Sequence, residues 1–217
     1  MTALANTPYL LQAEQLTCIR EDRILFDELS FTVSAGDIIQ VEGANGTGKT
    51  SLLRILSGLS QPYSGDVLYQ QQSINDISEE YYQDLLFLGH LPGVKGEMTS
   101  EENLQFYLSL HGQDPARAEQ TLDIVNLYGF EDAKASHLSA GQHRRIALAR
   151  LWQTNAKIWI LDEPFTAIDK AGVRQLESLI QAHAQQGGCV IMTTHQDLQM
   201  DSNLYRKIRL EYNGIEG

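Results

Sequence analysis

Gly43-Ala44-Asn45-Gly46-Thr47-Gly48-Lys49-Thr50, followed by Ser51, is the stretch on which the fold turns. Gly43, Gly48, Lys49 and Thr50 stand at the spacing of a phosphate-binding loop. A triphosphate packs several negative charges into one small volume, so backbone N–H groups must converge on it, and glycines let the chain wrap that closely. Residues 37–42 form an apolar-rich strand leading in, and Ser51-Leu52-Leu53-Arg54-Ile55-Leu56 is a helical pattern leading out. The helix N-terminus, with its partial positive charge, then sits under the phosphates. In such a loop Lys49 reaches the β- and γ-phosphates and the Thr50 hydroxyl ligates Mg²⁺. The loop by itself indicates a purine nucleotide and leaves kinase, GTPase, helicase and transport motor all open. A dinucleotide-binding loop is disfavoured, because the glycines do not follow G-x-G-x-x-G and a lysine follows the last of them.

Three more apolar strands end at polar residues. Residues 84–88 run into Gly89-His90, 157–161 into Asp162-Glu163-Pro164, and 189–194 into His195. Continuous apolar strands alternating with helices predict an α/β fold with a parallel sheet covered on both faces. Ligands of such sheets sit at the carboxyl ends of the strands, so four strands delivering polar groups to one edge make a site. Segments 10–20, 24–33 and 65–70 are shorter and partly alternating, which predicts an antiparallel β layer beside the main sheet. From Pro92 to His137 the pattern is helical, opened by a Thr99/Glu102 capping box. The expected organisation is one domain over 1–217, with a core of 1–91 and 151–217 and a helical signature subdomain over 92–150. At the C-terminus Ile208, Leu210 and Tyr212 alternate with Arg209 and Glu211, a half-exposed strand whose basic residues are solvated edge groups.

The composition narrows the chemistry. A net charge of −12 over 217 residues argues against a nucleic-acid motor, because a phosphate backbone would be repelled. Cys18 and Cys189 are isolated, with no C-x-x-C pair, which suits free thiols in a reducing compartment. No apolar run approaches the ~18 residues of a membrane span, and residues 1–9 lack the basic start of a secretory signal.

Leu138-Ser139-Ala140-Gly141-Gln142 lies upstream of the strand ending in Asp162-Glu163. Together with the phosphate loop, this segment resembles the signature of the ATP-binding-cassette ATPases, Leu-Ser-Gly-Gly-Gln, with Ala140 departing at one position. The resemblance covers nearly the whole chain. It implies that Asp162 holds Mg²⁺ through water, that Glu163 is the general base toward the attacking water, and that His195 contacts the γ-phosphate. Asp169, in Ala167-Ile168-Asp169, matches the turn coupling the two sites of a dimer. Arg144 and Arg145, on the helix behind the signature, are expected to pair with carboxylates of the core.

Two further positions depart from the family. His90 stands where a glutamine usually ligates Mg²⁺ and senses the membrane partner. An imidazole is a poorer ligand for hard Mg²⁺, leaving contact through water or a role confined to coupling. Arg20 stands where an aromatic ring usually stacks on adenine, and its guanidinium plane can stack or remain solvated. Residues 88–93, 138–142, 159–169 and 193–197 together resemble one subfamily, the ATPase subunit of the bacterial haem exporter used in c-type cytochrome maturation. Haem enters only through that resemblance, since no Cys-x-x-Cys-His is present. The implied cofactors are ATP and Mg²⁺. The implied assembly is a head-to-tail homodimer docked on separate integral membrane permease subunits at the cytoplasmic face of the bacterial inner membrane, handling haem or a haem carrier indirectly, with no nucleic acid. The groove near residues 90–96 is the expected docking surface. A soluble regulatory or cofactor-assembly scaffold ATPase without transport is the competing reading.

Overall fold

The structure is a computed structural model that describes residues 9–196, 198–200 and 203–211. The residue Asp197 of the last motif and Tyr212 of the C-terminal pattern lie outside them. Two sheets carry the chain. The first is antiparallel, built from β1 (Tyr9–Arg20), β2 (Arg23–Ser34), β4 (Ser64–Tyr69) and the two-residue β5 (Gln72–Ser73), in the order β2-β1-β4-β5. The second is parallel, in the order β6-β7-β8-β3-β9, from β3 (Ile38–Glu42), β6 (Leu85–Leu88), β7 (Ile158–Asp162), β8 (Cys189–Thr193) and β9 (Tyr205–Arg209). The α/β fold with its antiparallel layer is therefore as the sequence predicts.

β7 and β8 are buried at every residue, which is why both read as unbroken apolar runs rather than alternating ones. Helix α1 (Lys49–Leu56) packs between the two sheets through Leu52, Leu53, Ile55 and Leu56, in one apolar cluster with Leu11, Leu16, Ile39, Val41 and Ile160. On the other face of the parallel sheet, α6 (Lys170–Gln185) lays Leu176, Ile180 and Ala184 against Trp159, Leu161, Val190 and Met192. The C-terminal strand lies at the sheet edge as expected but spans Tyr205–Arg209, ahead of the 208–212 alternation, and two of its basic residues pair there: Lys207 with Glu42 at 2.6 Å and Arg206 with Asp37 at 3.1 Å.

A third cluster is made by the helices between the two halves of the core. Helices α3 (Ser100–Leu110), α4 (Ala118–Ile124) and α5 (Ala140–Ala149) bring Leu104, Leu108, Leu122, Leu127 and Ile146 together. A short α2 (Ser78–Asp84) precedes β6. The capping box read from sequence is present: Thr99 accepts from the Glu102 N–H, and Glu102 accepts from the Thr99 N–H at 2.8 Å. Thr99→Ala is expected to lower unfolding free energy by about 0.5–2 kcal/mol, measurable as a lower urea midpoint.

Candidate functional site

The phosphate loop turns out of β3 into α1, whose N-cap residue Gly48 has φ 95° and supplies no side-chain cap. The first-turn N–H groups of α1 thus remain available for an anion. Gly43 is needed for space. A Cβ there would lie 2.5 Å from Thr47 Oγ1 and 2.8 Å from the Leu210 carbonyl oxygen. Thr47 is buried and donates to the Ala44 carbonyl at 2.9 Å, bracing the loop, while Ala44, Asn45 and Gly46 are exposed. Lys49 Nζ curls over the loop, donating to the carbonyls of Gly43 at 2.7 Å and Ala44 at 3.1 Å. Beside it opens a cavity of about 230 Å³ lined by Gln40, Glu42, Gly43, Lys49, Thr194 and His195.

Asp162, at the end of β7, is buried. Its Oδ2 accepts from the Thr50 hydroxyl at 2.9 Å and its Oδ1 from the Thr193 hydroxyl at 2.6 Å. Thr50 and Asp162 therefore meet, although they are 112 residues apart in sequence. A carboxylate and a hydroxyl oxygen are hard donors, the set that suits Mg²⁺. Thr193 also accepts from the Glu163 N–H at 2.9 Å. Glu163 has a left-handed backbone, φ 52°. Its Oε1 lies 3.5 Å from His195 Nε2. The adjacent acids thus face different partners.

Thr193 belongs to this network, whereas the sequence reading used it only to locate His195. A hydroxyl closing an apolar buried strand is the signal that could have found it. Thr193→Val keeps the shape and strips the hydrogen bonds from Asp162 and the Glu163 N–H, so a loss of about 1–3 kcal/mol is expected. Urea unfolding measures it, with slower ATP hydrolysis alongside. Gln40 was likewise missed. It donates to the Thr194 carbonyl at 3.1 Å and accepts from the Tyr205 hydroxyl, fixing the strand from which His195 follows.

His90 is exposed and lines a second cavity of about 240 Å³ with Pro92, Ala140, His143, Arg144, Glu163 and Ala167. It shares that cavity with Glu163, not the phosphate-loop cavity with Lys49. Arg20 is exposed, its guanidinium donating to the Ile19 carbonyl at 3.0 Å.

The signature segment ends in the N-terminus of α5, where Ser139 is the N-cap and forms a capping box with Gln142. Leu138 is half-buried, and Ser139 and Ala140 are exposed. A Cβ on Gly141 would lie 2.9 Å from the Ala167 carbonyl oxygen. This accounts for the departure from the family pattern: the methyl appears at open position 140, while crowded position 141 keeps glycine. Asp169 caps α6 through the Gly172 N–H at 2.8 Å and pairs with Arg145 at 2.9 Å. The Gly172 N–H first, and then Arg145, hold its carboxyl below the usual range.

One expectation is corrected. Arg145 does pair with a carboxylate, but Arg144 does not. It donates to three main-chain carbonyls, those of Gly89, Asp162 and Glu163. Neighbouring positions on a helix are rotated by about 100°, so the two side chains meet different surroundings.

The ABC transporter family model matches residues 26–166. The chain belongs to the ABC transporter family. This ABC ATPase is 63% identical over 209 residues to the cytochrome c biogenesis ATP-binding export protein CcmA of Colwellia psychrerythraea, covering 96% of this chain and 95% of that protein. It is 62% identical to the protein of the same name from Shewanella oneidensis, covering 99% and 100%. Among solved structures, it resembles an ATP-binding cassette in a dimeric post-hydrolysis state bound to ADP and phosphate. There the TM-score is 0.79 at 23% identity, covering 95% of this chain and 97% of that one. An ATP-binding subunit of an ABC transporter matches with TM-score 0.78 at 20% identity, covering 93% and 88%. As a member of this family the ABC ATPase uses ATP with Mg²⁺. No helix among the described residues is long and apolar enough to cross a membrane.

Proposed function

We propose that this chain is the ATP-hydrolysing subunit of a membrane complex in c-type cytochrome biogenesis, driving haem export or release of a haem-loaded carrier. The observation that carries this reading is identity above 60% along essentially the whole chain to proteins named as cytochrome c biogenesis export ATPases. The nucleotide-binding core takes residues 1–91 and 151–217, and residues 92–150 form the helical subdomain. Two copies close head to tail, docked on separate membrane permease subunits at the cytoplasmic face of the inner membrane.

In this reading Lys49 and the N–H groups of residues 43–51 gather the phosphates. Thr50 and Asp162 would hold Mg²⁺, which when bound neutralises charge on the phosphate oxygens. Glu163 takes the proton of the attacking water, and His195, whose Nε2 lies 3.5 Å from Glu163 Oε1, contacts the γ-phosphate. Arg20, exposed, either stacks its guanidinium on the adenine or stays solvated. Residues 138–142 of one copy offer the Ser139 hydroxyl and the α5 N-terminus to the nucleotide of the other, where the helix dipole favours the γ-phosphate. Asp169, anchored in its own chain by Arg145, keeps the 163–169 turn in shape for the partner copy. His90, facing Glu163 rather than Lys49, couples the site to the membrane subunits.

Deleting the gene is expected to remove c-type cytochromes. Wild type should restore them, Lys49→Ala should not, and the tagged chain should co-purify with a membrane subunit. Unchanged cytochrome content in the deletion strain would refute the biogenesis role. His90→Gln is expected to keep ATP hydrolysis by the isolated chain. Complete loss would make His90 part of the chemistry.

A further inference from the structure

The Glu163 backbone is held from both sides. Its N–H donates to Thr193, and its carbonyl accepts from Arg144 Nη2 at 2.7 Å. The same Nη2 donates to the Asp162 carbonyl at 2.8 Å, and Nη1 donates to the Gly89 carbonyl at 3.0 Å. Arg144 is 5% exposed, so these bonds form in a low-dielectric setting where each is stronger than in water. Its α5 helix is N-capped by Ser139, and that helix start also abuts the Ala167 carbonyl, in the turn that follows Glu163. One rigid helix therefore touches the stretch 162–167 at two places and the peptide before His90 at a third. The left-handed backbone of Glu163 is sparsely populated for a non-glycine residue and persists where its surroundings over-determine it.

We propose that Arg144 is a positioning residue that fixes the Glu163 backbone, and with it the direction of the Glu163 carboxylate, to the helix capped by the signature serine. A displacement of α5 then pulls on the Glu163 and Gly89 carbonyls together. The inference rests on the reading of Glu163 as the proton acceptor. The planar guanidinium is suited to the task because its fork reaches carbonyls on two strands at once, which an ammonium point charge does not.

The test is a double-mutant cycle on the full-length chain. Arg144→Lys is expected to lower kcat about 10- to 100-fold, the range for a misplaced catalytic group, with KM for ATP and binding of a fluorescent ATP analogue unchanged. In a Glu163→Gln background, Arg144→Lys should cost nothing further in single-turnover rate, because a residue acting through Glu163 has nothing left to position. A general structural defect would instead weaken nucleotide binding and multiply the loss in both backgrounds. Should Arg144→Lys fail to fold, Arg144→Gln serves, keeping a donor for one carbonyl only. A wild-type kcat in the Arg144 variants, weakened nucleotide binding, or losses that multiply would overturn the proposal. A wild-type rate in Glu163→Gln alone would overturn the reading beneath it as well.

Discussion

Glu163→Gln is expected to leave a chain that binds ATP and scarcely turns it over. The amide keeps the size and planarity of the carboxylate, so the main-chain bonds to Thr193 and Arg144 survive. What disappears is the ability to take a proton from water. Loss of a positioned general base costs about 10²–10⁴ in rate, equivalent to roughly 3–5 kcal/mol of barrier. ATP binding should persist, because the phosphate loop is untouched. With the γ-phosphate uncleaved, the two copies stay closed. The measurements are single-turnover hydrolysis with labelled ATP and the mass of the ATP-loaded protein by light scattering. Normal turnover would transfer the role to another group.

The second large effect is expected from Lys49→Ala, which removes the ammonium beside the phosphate loop. A hydrogen bond to a charged group contributes about 1.5–3 kcal/mol, and a lysine reaching two phosphates forms more than one. ATP affinity should fall by about 10- to 100-fold or more, and hydrolysis should become undetectable at cellular ATP concentrations. Fluorescent-nucleotide titration follows the first and phosphate release the second. The scaffold should be preserved, because Lys49 donates to loop carbonyls and not to the apolar cluster beneath α1. An active Lys49→Ala enzyme would refute the role given to this lysine.

Much of the site was legible because its parts are written locally. The octapeptide at 43–50, the signature segment 138–142 and the strand ending in Asp162 each depend on residues close in sequence. The meeting of Thr50 with Asp162 followed from a general rule, that parallel strands deliver their carboxyl ends to one edge. Legibility failed where a residue's role is set by tertiary neighbours. Arg144 and Arg145 look alike in sequence, yet one is buried among carbonyls and the other pairs with Asp169. The crowding of Gly141 against Ala167 joins a helix start to a distant turn, and no local pattern encodes it. Thr193 reads as part of an apolar strand until Asp162 is placed beside it. The sheet order was also hidden. β9 is half polar and gives no hint that it lies parallel to β3.

The position of β3 in its sheet has a consequence for biosynthesis. This strand leaves the ribosome early, yet its neighbours are β8 and β9, and Ile38 is aligned with both Val190 and Tyr205. At about 5–20 residues per second, the nascent chain waits on the order of ten seconds between making β3 and making the strands that flank it. Until residue 210 has emerged, the Leu210 carbonyl cannot close over Gly43. The packing of Leu210 against the phosphate loop therefore forms only after both strands that flank β3 have been made.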